Sequence, residues 1–143
     1  MSDICIIAHG SREYDEALTL RRAVLRAPLG LDFAPADLAR EAGDTHLAAY
    51  VQNRLAGTVV MTPQETGKVK LRQMAVAEDM RGQAVGQQLL AAFEDHARAL
   101  GVKTVILTAR TTARGFYTRH GYETDDVVFT EVTIPHIRMW KAL

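Results

Sequence analysis

The sequence predicts an α/β fold, and three stretches predict it. Lys70-Leu71-Arg72-Gln73-Met74-Ala75-Val76 reads as a strand, and past a short basic turn the apolar residues Leu89, Phe93, Ala97 and Leu100 recur at helical spacing from Val85 onward. Ahead of it, two apolar segments within 46–61 flank Gln52-Asn53-Arg54, the pattern of an antiparallel hairpin. Behind it, 102–109 is a further strand, whose run Val105-Ile106-Leu107 suggests burial on both faces.

The remaining elements follow in order. Ile4-Cys5-Ile6-Ile7-Ala8 is a short apolar strand, and Ser11 is placed to cap a helix carrying Ala17, Leu18, Leu20, Val24 and Leu25 to a stop at Pro28-Leu29-Gly30. Arg21, Arg22 and Arg26 belong to that helix, with Arg22 and Arg26 one turn apart on a shared face. A short helix spans 35–42, with proline in its first turn and Gly43 beyond its end. Thr62-Pro63-Gln64-Glu65-Thr66-Gly67 is a loop, Gly101 ends the long helix, and 112–120 is a shorter helix closed by Gly121. Two late strands, 127–132 and 137–140, are joined through Thr133-Ile134-Pro135-His136. Without a linker or repeat, 1–143 is expected to form one domain, long enough to bury a core.

Lys and Arg number 17 against 17 Asp and Glu, so no diffuse basic field recommends nucleic acid. The single cysteine, Cys5, has no partner for an intramolecular disulfide, and neither a leader pattern nor a membrane-length apolar run stands out. A soluble, cytoplasmic protein without nucleic-acid or membrane partners is expected. His9-Gly10-Ser11-Arg12, after an apolar strand, resembles the strand end of sirohydrochlorin-type metal chelatases. One histidine with no second His/Cys cluster does not make a metal site, so no metal is expected.

The turn Arg81-Gly82-Gln83-Ala84-Val85-Gly86-Gln87 is basic and small. Several backbone N–H groups at the helix start can therefore point at one ligand, with the positive end of the macrodipole behind them: a pyrophosphate cradle. Met-Ala-Val, a short gap, Arg-Gly-Gln-Ala-Val-Gly and an amphipathic helix resemble the acetyl-CoA-binding motif of the GCN5-related N-acetyltransferases. Ala109-Arg110-Thr111-Thr112-Ala113-Arg114-Gly115-Phe116-Tyr117-Thr118-Arg119-His120-Gly121-Tyr122 resembles the same family's following strand end and helix.

The resemblance implies a mixed, mostly antiparallel sheet of about seven strands with flanking helices, and acetyl-CoA as co-substrate. It implies that the backbone of Met74, Ala75 and Val76 binds the pantetheine arm, with the Met74 N–H facing the thioester oxygen. The pyrophosphate falls to Arg81, Gly82, Gln83, Ala84, Val85, Gly86 and Gln87, Phe116 borders the cofactor, and Tyr117 takes the place of the proton-donating tyrosine. Ala84 stands where the family's Arg-x-x-Gly-x-Gly pattern has glycine, and its methyl narrows the approach to the phosphates.

Leu-Arg-x-x-Val-Leu-Arg near the start, Leu-Arg-Gln-Met-Ala, Ala-Arg-Thr-x-Ala and Pro-His-Ile-x-Met together resemble the branch that includes the glyphosate N-acetyltransferases and their bacterial relatives. That branch implies His136 as general base, a role suited to an imidazole, which titrates near neutrality. It also implies Arg26, Arg72 and Arg110 lining an acceptor pocket. The residues agree: Arg110 ends an apolar strand and Arg72 sits inside one, awkward places for a charge unless an anion answers it. The alternative is ion pairing with Glu131, Asp125 or Asp126. The expected activity is N-acetylation of a small anionic amine. A protein, peptide or tRNA acetyltransferase and a non-enzymatic acyl-CoA-binding regulator are the competing classes, and the late strands offer an edge for a homodimer.

Overall fold

The computed structural model describes residues 2–143. Seven strands make one sheet: β1 (Asp3–Ile7), β2 (Thr45–Val51), β3 (Arg54–Pro63), β4 (Lys68–Val76), β5 (Thr104–Arg110), β6 (Glu123–Glu131) and β7 (Ile134–Ala142). Helices α1 (Arg12–Arg21), α2 (Pro35–Arg40), α3 (Val85–Ala99) and α4 (Arg114–Arg119) flank it. The strand order is β1-β2-β3-β4-β5-β7-β6, and among the described residues β4 with β5 is the one parallel pair in an otherwise antiparallel sheet. This is the mixed sheet expected. Among the described residues no helix is long and apolar enough to cross a membrane.

The amphipathic α3 supplies the centre of the core, where its buried Leu89, Leu90 and Phe93 join Val59, Met61, Leu71, Val105, Leu107, Ile137 and Met139 from the sheet. Gly57 on β3 lets this helix come close, because a Cβ there would lie 2.8 Å from Leu89 Cδ1. At the other end of the chain Ser11 caps α1 as expected, its hydroxyl accepting from the Tyr14 N–H at 3.1 Å.

Three local departures from regular structure shape the site. The first follows α1, where the backbone widens into a π turn (Arg22–Arg26) and then tightens into a 3₁₀ turn (Ala27–Leu29) that Gly30 stops in the left-handed region. Across this turn Arg22 Nε reaches Asp32 at 2.9 Å, and the Arg26 guanidinium lies over the neighbouring Phe33 ring at 4.5 Å. The second is a bulge in β4. Thr58 pairs with Ala75 and Val60 with Arg72, so Gln73 and Met74 together oppose Val59, and Gln73 has a φ of 57°.

The third is a splay. Strands β4 and β5 pair only from Lys68↔Thr104 to Lys70↔Ile106, and beyond that they diverge. On β5 the buried residues alternate, Val105, Leu107 and Ala109 against half-buried Ile106 and Thr108, rather than being covered on both faces. One face meets the core, and the other opens on the gap.

The late strands are longer than the sequence pattern indicates, and the turn between them is Val132-Thr133, both with positive φ. His136 accordingly lies within β7, paired with Arg110 on one side and Phe129 on the other, not in the connection. The helix expected over 112–120 is also shorter, since Thr111–Ala113 forms a 3₁₀ turn before α4 begins.

Candidate active site

At the open end of the splay lies a cavity of about 340 Å³ whose lining includes Arg26, Arg72, Gln73, Met74, Arg110, Tyr117, Glu131 and His136, together with Leu25, Lys70 and Thr108. The three arginines, the histidine and the tyrosine singled out in the sequence thus share one space, although they come from five different elements. Four of them lie at a departure described above: Arg26 in the π turn, Arg72 beside the bulge in β4, and Arg110 and His136 at the splay, while Tyr117 comes from α4.

Arg26 and Arg110 converge on a single carbonyl. Arg110 Nη2 donates to Leu25 O at 2.7 Å and Arg26 Nη1 donates to the same oxygen at 3.2 Å. Among the described residues neither guanidinium has a carboxylate within 4.0 Å. Burial lowers the pKa of both groups, and for Arg26 the neighbouring Arg110 charge lowers it further. The acids named as alternative partners are engaged elsewhere: Asp125 lies 3.8 Å from Arg138, Asp126 pairs with Arg114, and Glu131 accepts the Thr108 hydroxyl at 3.0 Å.

Arg72 is differently placed. Its Nη1 is 3.7 Å from Asp44 Oδ2 and 3.9 Å from Glu41 Oε2, and donates to Thr62 Oγ1 at 3.4 Å. It also borders a second cavity of about 410 Å³ with Asp37, Arg40 and Gln64. Behind it, Arg21 and Glu41 form a buried fork with bonds of 2.8 and 2.7 Å, to which Tyr14 Oη adds a donation at 2.8 Å. Burial alone would raise the Glu41 pKa, but the Arg21 fork and the Tyr14 hydroxyl outweigh it and leave the carboxyl below its ordinary range.

His136 is 5 % exposed, and its Nδ1 lies 3.0 Å from Ile134 O. A carbonyl only accepts, so this contact assigns the ring proton to Nδ1 and leaves the Nε2 lone pair facing the cavity. Glu131 Oε2 lies 3.6 Å from Nε2. Tyr117 is buried where it borders the cavity, and burial pushes its phenol well above the ordinary 10.0, so the hydroxyl keeps its proton.

Next to the cavity, the loop before α3 has the form of a cradle. Ala84 holds the left-handed conformation at φ 60°, and the first helical acceptor is its carbonyl, bonded by the Gln88 N–H at 3.0 Å. Among the described residues the N–H groups of Gly82, Gln83, Ala84, Val85, Gly86 and Gln87 reach no backbone carbonyl. Phe116 packs beside Gly86, where an added Cβ would sit 3.5 Å from its Cζ. Gln73 Oε1, at the cavity wall, is buried without a donor. Free donors at the helix start and a free acceptor beside the splay suit a phosphorylated ligand that carries amides.

The His9-Gly10-Ser11-Arg12 stretch is the entry to α1. His9 Nε2 lies 2.9 Å from Leu38 O, its ring packs 4.5 Å from Tyr14, and Ser11 is the cap. No group of three His, Cys, Asp or Glu among the described residues is gathered for a metal.

Sequence reasoning missed the Leu25 carbonyl, the Gln73 bulge and the closeness of Glu131 to His136. A backbone oxygen has no side-chain signature. The third depends on the Val132-Thr133 turn, which pairs Glu131 with Ile134 and Phe129 with His136 and so makes Glu131 the diagonal neighbour of His136.

Comparison with known proteins agrees with this fold. The structure superposes on Escherichia coli ElaA with a TM-score of 0.81 at 23% identity, covering 99% of both chains. An acyl-CoA N-acyltransferase from Pseudomonas aeruginosa gives 0.81 at 24% identity, covering 99% of this chain and 100% of that one. In sequence, the aminoalkylphosphonate N-acetyltransferase of Salmonella typhimurium is 37% identical over 65 residues, covering 43% of this chain and 42% of that protein. The chain spans between 39% and 66% of the lengths of four curated relatives. The family model for the acetyltransferase (GNAT) domain matches residues 31–143, and the chain belongs to that family.

Proposed function

We propose that the protein transfers an acetyl group from acetyl-CoA to the amine of a small anionic acceptor, an amino acid or a phosphonate analogue, with His136 as general base. One observation carries this reading: two guanidiniums without a carboxylate partner, Arg26 and Arg110, share a cavity with a buried imidazole whose Nε2 lone pair is free. Converging guanidiniums of this kind bind carboxylate or phosphonate through charge-assisted hydrogen bonds. The aminoalkylphosphonate relative supports an anionic acceptor.

Acetyl-CoA supplies the acetyl group as a thioester. The N–H groups of residues 82–87 hold its pyrophosphate at the start of α3, and the backbone of Met74, Ala75 and Val76, unpaired on the splayed side, holds the arm. The Met74 N–H is the donor for charge developing on the thioester oxygen. His136 Nε2 takes a proton from the acceptor's ammonium, and the Tyr117 hydroxyl, kept protonated by burial, gives one to the departing thiolate.

The test is a thiol-release screen with acetyl-CoA against amino acids, aminophosphonates, polyamines and aminoglycosides. Anionic acceptors are expected to rank first. His136→Ala is expected to lower turnover by about a hundredfold, in the range of a lost general base, while calorimetry shows unchanged CoA affinity. A polyamine as best substrate, with Arg110 variants unaffected, would overturn the anionic acceptor.

A further inference from the structure

The same cavity holds a charge that the anionic-acceptor reading does not use. Glu131, the last residue of β6, is 40% exposed at its side chain and borders the cavity beside Arg26 and Arg110. A carboxylate so near two cations is expected to pair with them, yet it does not. Thr108 Oγ1 holds Glu131 Oε2 at 3.0 Å, and both arginines reach back to Leu25 O at 2.7 and 3.2 Å. Two fixed cations and one fixed anion therefore face one space while each is tied to a neutral group. Charges arranged so are left for a ligand that carries both signs.

We infer that Glu131 is the binding group for the acceptor's ammonium, and that the acceptor is a zwitterion spanning from Glu131 to the Arg26 and Arg110 pair. This rests on the anionic-acceptor reading and adds its other pole. Glu131 Oε2 and His136 Nε2 are 3.6 Å apart, too far to bond each other and close enough for one nitrogen to touch both. An ammonium there donates one N–H to the carboxylate and presents another to the imidazole. Nε2 accepts that proton and becomes N–H, Nδ1 keeps its bond to Ile134 O, and the amine retains the lone pair that attacks the thioester carbon. The imidazolium so formed faces the same carboxylate. Arg110, Arg26, Arg72, Lys70 and Tyr117 are the other titratable groups around this space, and Glu131 is the one acid among the residues bordering it.

The inference predicts a preference for the amine that disappears with the Glu131 charge. Protein saturated with CoA is titrated calorimetrically with two pairs of ligands: L-aspartate and succinate, 2-aminoethylphosphonate and ethylphosphonate. The wild type is expected to bind the amine-bearing member of at least one pair tenfold or more tightly. Glu131→Gln keeps the size and an acceptor for Thr108, and is expected to abolish that preference while leaving the des-amino ligands at least as tight. Arg110→Ala weakens both members of the pair. In turnover, Glu131→Gln should raise KM for the acceptor about tenfold with KM for acetyl-CoA unchanged. A preference that survives in Glu131→Gln, or a loss confined to kcat, overturns the role of Glu131 and leaves the anionic acceptor standing. If no ligand of either pair binds and Arg110→Ala has no effect on the best substrate of the screen, the anionic reading fails and this inference falls with it.

Discussion

Arg21 and Arg26 leave the same helical run and both lie over the Phe33 ring, at 4.7 and 4.5 Å, yet they meet opposite surroundings. Arg21 is 1% exposed and forks onto Glu41, which also takes the Tyr14 hydroxyl, so every strong charge in that cluster is answered inside the protein. Arg26 has a backbone carbonyl, shared with Arg110, and no acid. Five residues apart, the two would point to different faces of a regular helix; the π turn keeps both against the Phe33 ring, and Arg26, further along the chain, borders the cavity. A guanidinium with its carboxylate in place holds elements together, whereas one left with a carbonyl is free to hold something else.

The largest effect that would break this contrast is on stability. Arg21→Ala, or Glu41→Ala, leaves an unanswered buried charge and should cost about 3–5 kcal/mol, read by chemical denaturation. Replacing both with apolar residues should recover much of that loss. Arg110→Ala should cost far less, because it relieves the repulsion that Arg110 exerts on Arg26. Equal losses at Arg21 and Arg110 would erase the distinction.

The pH dependence of the same cluster sharpens it. Burial first, and the bond to Glu41 second, push the Tyr14 phenol from 10.0 to about 12. A raised folded pKa contributes stability that is complete below pH 10 and is lost as the pH climbs through about 12. Glu41 runs the other way: its depressed pKa contributes stability present above its ordinary 4.5 and lost as the pH falls through the lower folded value. Tyr14→Phe should therefore flatten the alkaline limb between pH 10 and 12 in an unfolding titration, with the acid limb retained. An unchanged alkaline limb would show that another group sets it.

On the other side of the contrast, Arg110→Lys keeps a charge but loses the planar fork. Charge-assisted hydrogen bonds contribute about 1.5–3 kcal/mol each, so KM for an anionic acceptor should rise at least about tenfold. The melting temperature and KM for acetyl-CoA should hold. A matching rise in KM for acetyl-CoA would place Arg110 with the cofactor.

The parts of the molecule legible in the sequence are those that depend on neighbours along the chain. The strand ending in Met74-Ala75-Val76, the small basic turn and the helix from Val85 are local patterns, and they emerge as β4, the cradle and α3. Ala84 stands in the left-handed region, at a position that suits glycine, and its Cβ carries the steric cost that glycine avoids. What stayed hidden depends on distant pairing or defies local preference. Val132-Thr133 is a turn made of two β-branched residues at positive φ, against all ordinary turn chemistry, so the sequence pattern puts the connection further on and His136 within it. The bulge at Gln73 follows from how β3 and β4 meet, and no residue in Arg-Gln-Met announces it. The acids near Arg72, Glu41 and Asp44, flank Gly43 in the chain and are not among Glu131, Asp125 and Asp126, the acids the sequence offers as alternative partners.

Arg72 stands between the two kinds of arginine and offers the finest test of the contrast. It borders the cavity, as Arg26 and Arg110 do, but Asp44 and Glu41 lie 3.7 and 3.9 Å away, beyond hydrogen-bond length and close enough to neutralise part of its field. If an internal acid is what withholds a guanidinium from a ligand, removing that acid should release it. Asp44→Asn removes the nearer carboxylate without touching the Arg21 and Glu41 fork. The attraction it abolishes is of the size of a partly exposed pair, about 0.2–1 kcal/mol, so KM for an anionic acceptor should fall by roughly 1.4-fold to fivefold. Succinate and L-aspartate should gain alike, because Arg72 answers the anionic end. A neutral amine should gain nothing, and a gain shared by neutral and anionic acceptors would mean that Asp44 shapes the cavity instead of restraining the charge of Arg72.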